Sequence, residues 1–160
     1  MAFNSTVLQD NPDLGAGEVI TASPYNVSAF EVFENGLVEG RFAKFAAGSI
    51  DNVDGTGTPL IAGIVKRKIT GEIGTGVYST TGTAIDQVAE MINFGFATVT
   101  VTDAADPSKY DAVQFIDDGT GDAGKATEAA VTGGIVNVGD VVFWEQKAAL
   151  VWLVRINKFL

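Results

Sequence analysis

The chain contains no cysteine and no histidine, and both absences bear on function. Without cysteine there is no disulfide framework, no thiol nucleophile and no thiolate ligand. Histidine is the commonest general base near neutral pH and the commonest transition-metal ligand. Lacking both, the chain has no route to the usual zinc sites, to thiol proteases or to Ser-His-Asp triads. Carboxylate pairs, Lys and Tyr are the catalytic groups that remain. A non-enzymatic role is therefore expected, with no catalytic residue, no cofactor and no metal ligand assigned. Basic residues are also scarce, 10 against 20 acids, for a net charge of −10. Phosphate backbones repel such a chain, so direct nucleic-acid binding is not expected. No run approaches the roughly 20 apolar residues that span a bilayer, and no membrane partner is expected. Met1–Asp10 has neither the basic residues nor the apolar run of a signal peptide.

What is present points to β-structure. The 160 residues are 46% hydrophobic with 19 glycines, enough for one domain with a real core. The most apolar stretch is Val138–Leu160, which holds both tryptophans. It reads as strands Asp140–Glu145 and Leu150–Ile156 separated by Gln146–Ala149, the length of a hairpin loop. Leu150, Trp152, Val154 and Ile156 share one face of the second strand, with Val151, Leu153 and Arg155 on the other. A strand apolar on both faces is central in a sheet or covered by another subunit. The same positions predict that Trp152 is buried.

Upstream, Met1–Ser28 reads as an extended N-terminal arm preceding a domain over 29–160. The arm has a turn at Asn11-Pro12-Asp13, glycines at Gly15 and Gly17, and Pro24. Its apolar residues, among them Phe3, Val7, Leu8 and Leu14, are spaced too irregularly for one helix or strand face. Two readings stay open: a loose terminus with a few contacts to its own domain, or an arm that orders against a neighbouring subunit.

Short strands separated by turn residues then follow. Phe30–Phe33 precedes Asn35-Gly36, a hairpin signal. Arg41–Phe45 is a strand with imperfect alternation, since Phe42 and Phe45 fall on opposite faces, and Gly48–Gly57 supplies turn residues. Leu60–Lys66 is an apolar strand and Gly71–Thr83 a Gly/Thr-rich loop. In Ala84–Asn93, Ile85, Val88, Ala89 and Ile92 keep a helical period; as a strand, Val88, Ile92 and Phe94 would share a face with Glu90. Ala97–Thr102 alternates cleanly, with Ala97, Val99 and Val101 inward and three threonines outward. Tyr110–Ile116 is a strand, Asp117–Gly124 a turn, and Lys125–Thr132 a short strand or a turn of helix. Eight or more short strands with turns between them predict an all-β fold, a small β-barrel or sandwich of short antiparallel strands.

Three motifs invite stronger readings. Gly119-Thr120-Gly121-Asp122-Ala123-Gly124 is a literal G-x-G-x-x-G, but no packed helix follows it, and Asp117, Asp118 and Asp122 would repel a pyrophosphate. A turn is expected instead. As a calcium loop it fails as well, because positions 3 and 5 counted from Asp117 are Gly119 and Gly121. Lys66-Arg67-Lys68, the only basic cluster, reads as a solvated strand end or as an ion-pairing patch for an acidic surface.

The order of segments resembles the structural cement (head decoration) proteins of tailed bacteriophages. The matching pieces are the extended start, Gly40–Phe45, Pro59–Val65, Asn93–Val99, Asp111–Phe115 and the closing Ala149–Ile156, which together span most of the chain from Phe30 onward. Each piece is generic, and the specificity lies in the order. The resemblance implies that Asp86–Asn93 is a strand, against the local helical period. It also implies a β-barrel-like module, commonly a homotrimer, that binds the major capsid protein on the outer surface of an icosahedral head and locks coat subunits together. Phe3, Val7, Leu8 and Leu14 of the arm are the expected contacts. Other classes remain in view: a tail or head-fibre subunit that self-assembles, and a carbohydrate-binding module with exposed tryptophans.

Overall fold

Wherever β-branched and aromatic residues alternate with small ones, the chain runs extended, and glycine or aspartate turns end each run. The computed structural model describes residues 15–21, 23–31, 37–46, 49–56, 60–67, 77–78 and 88–159. Its strands are β1 (Asn26–Glu31), β2 (Leu37–Val38), β3 (Phe42–Ala46), β4 (Ser49–Asn52), β5 (Ile61–Val65), β6 (Val77–Tyr78), β7 (Val88–Thr100), β8 (Ala112–Ile116), β9 (Ala126–Thr127), β10 (Ile135–Ala148) and β11 (Val151–Phe159). The described residues contain no helix. The strands form one curled antiparallel sheet in the order β4-β3-β5-β7-β11-β10-β8-β9, with β1 also on β7, plus a small β2-β6 pair. The all-β expectation holds.

β7, at 13 residues, is the spine. Its first half pairs with β1 and β5, its second half with β11. Gly15–Ile20 adds to the second half: Gly17 N–H donates to the Thr98 carbonyl, Thr98 N–H to the Glu18 carbonyl, and Ile20 N–H to the Phe96 carbonyl, each at 2.9 Å. Thr98, expected to face out, is fully buried because this segment covers it. Its hydroxyl donates to the Gly15 carbonyl (2.6 Å) and accepts from Glu18 N–H (2.9 Å).

The strand reading of Val88–Asn93 is correct, and 84–87 lie outside the described residues. The predicted shared face is not. Ile92 is buried in the main core while Phe94 is exposed. Ile92 and Ala97 face the same core although they are five residues apart, so the strand changes parity between them. The register against β1 jumps there, with Asn26 opposite Phe94 and Val27 opposite Ile92. Gly95, at φ 99°, completes the bend where a Cβ would lie 2.5 Å from the Pro24 carbonyl oxygen.

One sheet serves two cores, one on each face. Phe42, Ile64, Ile92, Ala97, Val99, Phe115, Phe143, Val154 and Ile156 line the inside of the curl. Leu37, Ala43, Ile50, Ala62, Val65, Ala89 and Met91, with Phe30 and Phe45 packed on them, form a second core. The uneven alternation of Phe42 and Phe45 is thereby explained, since each ring fills a different core.

Other expectations are corrected. Gly48–Gly57 is not all turn, because β4 lies within it and buries Ile50. Val77–Tyr78, inside the expected loop, pairs as a strand with Leu37–Val38. β2 therefore does not return against β1 after Asn35-Gly36 as a hairpin would. The C-terminal hairpin turns tightly, with Ala148 opposite Val151, so Leu150 belongs to the turn at φ 59° rather than to the strand. Trp152 is half-buried, its ring edge-on to Phe143 at 5.6 Å.

The acidic glycine turns close the curl. Phe42 N–H donates to the Gly124 carbonyl (2.8 Å), and Arg41 Nη1 donates to the carbonyls of Gly121 (2.7 Å) and Ala123 (3.1 Å). Gly55 N–H donates to Asp117 Oδ1 at 2.7 Å. Nearby, Lys44 Nζ bonds Asp54 Oδ1, and that bond, with a second from the Thr56 hydroxyl, holds the Asp54 carboxyl down at about 2.

Two expectations follow. Gly95→Ala should lower stability by roughly 2–3 kcal/mol through backbone strain and the Pro24 contact. Gly121→Ala, where a Cβ meets nothing, should stay within about 0.5 kcal/mol; thermal denaturation of the pair checks this. The Asp54 carboxyl is depressed in the folded state, so its contribution is present above its ordinary value of 3.8 and is lost as pH falls toward 2. The acid-unfolding curves of wild type and Asp54→Asn should therefore converge as pH drops through that window and separate above it.

Candidate functional site

The expected contact residues Phe3, Val7, Leu8 and Leu14 all lie outside the described residues. The G-x-G-x-x-G run is a turn whose carbonyls hold Arg41 and Phe42. Asp118 accepts from the Thr120 hydroxyl and N–H, which holds its carboxyl below the usual range. No group of three or more acidic residues is placed to hold a metal among the described residues. In the basic cluster, Lys66 pairs with Glu90 and Arg67 with Glu18, so these side chains bond within the chain; Lys68 lies outside the described residues.

The arrangement most suited to recognition is an aromatic and cationic patch across the outer face of β7, β11 and β10. Trp144 sits at its centre. The β10–β11 register jumps from Phe143 opposite Val154 to Glu145 opposite Leu153, leaving Trp144 as the extra residue of a bulge. Phe143 stays in the core while Trp144 is turned outward. Phe96 lies edge-on to its indole at 5.3 Å, and Tyr110 edge-on at 5.5 Å. Such T-shaped pairs place the positive edge of one ring on the negative face of another.

Two cations complete the patch. Lys109 Nζ lies 4.2 Å from the Trp144 ring centroid and 5.2 Å from that of Tyr110. The Arg155 guanidinium carbon lies 5.7 Å from the same indole, and Arg155 stands opposite Phe96 in the ladder. Each contact of this kind contributes about 0.5–1 kcal/mol at an exposed site. Tyr110 is 61% exposed and held at φ 78°, a conformation that disfavours residues with a Cβ. Its N–H donates to the Phe143 carbonyl at 2.7 Å, which ties the strained turn to β10.

Sequence reasoning missed this patch. Its members come from four separate places in the chain, and the only local signal is Lys109-Tyr110 at the end of an acidic turn.

Comparison with known proteins agrees with the resemblance to phage head proteins. The family profile of the XM1 gp53 minor capsid protein matches residues 3–158. A chain in the solved capsid of the Myoviridae phage XM1 is 70% identical, with 100% of both chains covered and a TM-score of 0.85. Among curated proteins nothing matches. A family match over nearly the whole chain and a full-length relative of high identity lead to one conclusion: this chain belongs to the XM1 gp53 minor capsid protein family.

Proposed function

We propose that this chain is a non-enzymatic structural component of a phage head that cements neighbouring coat subunits from the outer capsid surface. The observation that carries the reading is its 70% identity, end to end, with a chain of the XM1 capsid. Packaged DNA presses the coat outward, and a ligand that binds only the assembled lattice stabilises it by mass action. A homotrimer would attach at several points at once, gaining avidity without a strong single contact. The net charge of −10 keeps such a protein from competing for the packaged genome. The fold supports the role, because its sheet is covered on both faces at β5 and β7 and leaves surfaces to do the binding.

The N-terminal arm supplies reach. Within Met1–Ser28, Gly15–Ile20 already bonds to β7, so the reaching part is Met1–Leu14, with Phe3, Val7, Leu8 and Leu14 as its apolar contacts. The arm reaches a neighbouring subunit, and the trimer so held meets the major capsid protein on the outside of the virion.

Purified protein should co-sediment saturably with empty heads of its own phage, at a fixed ratio to coat subunits, and raise the temperature at which the heads disrupt. Absence of binding to both expanded and unexpanded heads would sink the cement reading and bring forward a tail or fibre subunit. Deleting residues 1–14 should leave the unfolding transition intact while weakening head attachment at least roughly ten-fold. Deleting residues 1–28 should also lower the transition itself, because it strips the bonds that cover Thr98 and part of β1. Circular dichroism melts of the two truncations separate these outcomes.

A further inference from the structure

We infer that the Trp144-centred patch is the dock for the leading segment Met1–Leu14 of a second copy of this chain. The inference rests on the proposed self-associating head protein with a reaching arm, and it names where that arm binds.

The first argument is charge. Among the described residues, Lys44, Lys66, Arg67, Lys125 and Lys147 all sit in ion pairs, and Arg41 donates to the Gly121 and Ala123 carbonyls. Lys109, Arg155 and Lys158 make no ion pair with any described residue, and two of these three converge on one indole. The Arg155 Nε is also buried with no hydrogen-bond partner. On a chain with twice as many acids as bases, this is where an acidic segment would be drawn. Residues 1–40 contain no Lys or Arg, and Asp10 and Asp13 lie in the leading segment beside Phe3, Val7, Leu8 and Leu14. Its composition, apolar with carboxylates, complements a face of aromatic rings and cations.

The second argument is direction. Ile20 bonds to Phe96, Gly17 to Thr98, and Gly15 to the Thr98 hydroxyl. The segment therefore lies along the edge of β7 opposite β11, and the described chain begins on the far side of β7 from Trp144. Fourteen residues extended reach about 45 Å, enough to lie across a neighbour. Each copy handing its arm to the next makes a head-to-tail contact that closes into a ring when the rotation allows.

The third argument is strain. Tyr110 is 61% exposed in a left-handed conformation, and strained exposed residues gather at binding sites.

The test is sedimentation of the full chain together with its head binding. Lys109→Glu with Arg155→Glu should weaken self-association roughly ten-fold while leaving the far-ultraviolet spectrum unchanged. Adding Asp10→Lys and Asp13→Lys to that variant should restore it. Since the chain has no cysteine, Leu8→Cys with Lys109→Cys, joined by a short flexible bis-maleimide, should give a covalent ladder on a denaturing gel. An intramolecular crosslink would overturn the exchange between copies. Unchanged association in the charge-reversed variant, or no rescue, would overturn the dock. If those results come while the wild-type chain still binds heads, only the dock falls; if the wild type binds no form of the head, the cement reading falls with it.

Discussion

Backbone pairing along β7 is the constraint on which the rest of this molecule depends. Buried N–H and C=O groups must find partners, and β7 finds them in four separate segments, β1, β5, β11 and Gly15–Ile20. Those segments come from both ends of the chain and from its middle, so β7 joins regions that share no local contact. The heavy β10–β11 hairpin hangs from its second half, and β3, β4 and β5 from its first. The first half of β7 serves both cores, with Ile92 on the inner face and Ala89 and Met91 on the opposite one, and the parity slip then sets Ala97 and Val99 on the inner face.

Charge is organised around the same frame. Some of the few basic residues tie turns down, Lys44 to Asp54 and Lys125 to Asp122, while Lys147 pairs with Glu145 within β10. The acidic glycine turns that resemble nucleotide or calcium loops instead join the two ends of the curled sheet, through Arg41, Phe42 and Gly55. Among the described residues, the aromatic and cationic area around Trp144 stands out on a chain of net charge −10. The chain carries this charge pattern as a member of the XM1 gp53 minor capsid protein family.

Much of the fold was legible because strand alternation is short-range stereochemistry. Ala97, Val99 and Val101 fill the inner core as their spacing predicts, and Val154 and Ile156 do the same on β11. The C-terminal run also announced a hairpin, and its two-sided apolar character correctly placed β11 inside the sheet. The lack of cysteine and histidine narrows the function classes by composition alone, since it removes thiolate and imidazole chemistry wherever the chain folds.

Other features were decided only when distant strands met. A bulge is a count of residues on one strand against those on its partner, so neither the slip at Gly95 nor the outward turn of Trp144 exists in a single strand's pattern. β4 hides among turn residues because pairing with β3 and burial of Ile50 outweigh local propensity in Gly48–Gly57. Thr98 reads as solvent-facing until a segment 80 residues away covers it. The patch of Lys109, Tyr110, Trp144, Phe96 and Arg155 likewise has no sequence signature, since its members become neighbours only through the register of β7, β11 and β10. The sequence by itself determined strand chemistry, charge and the chemistry that is missing. Register between remote strands, which is set by pairing and burial energies that no local window contains, decided which residues face each core and which meet at the surface.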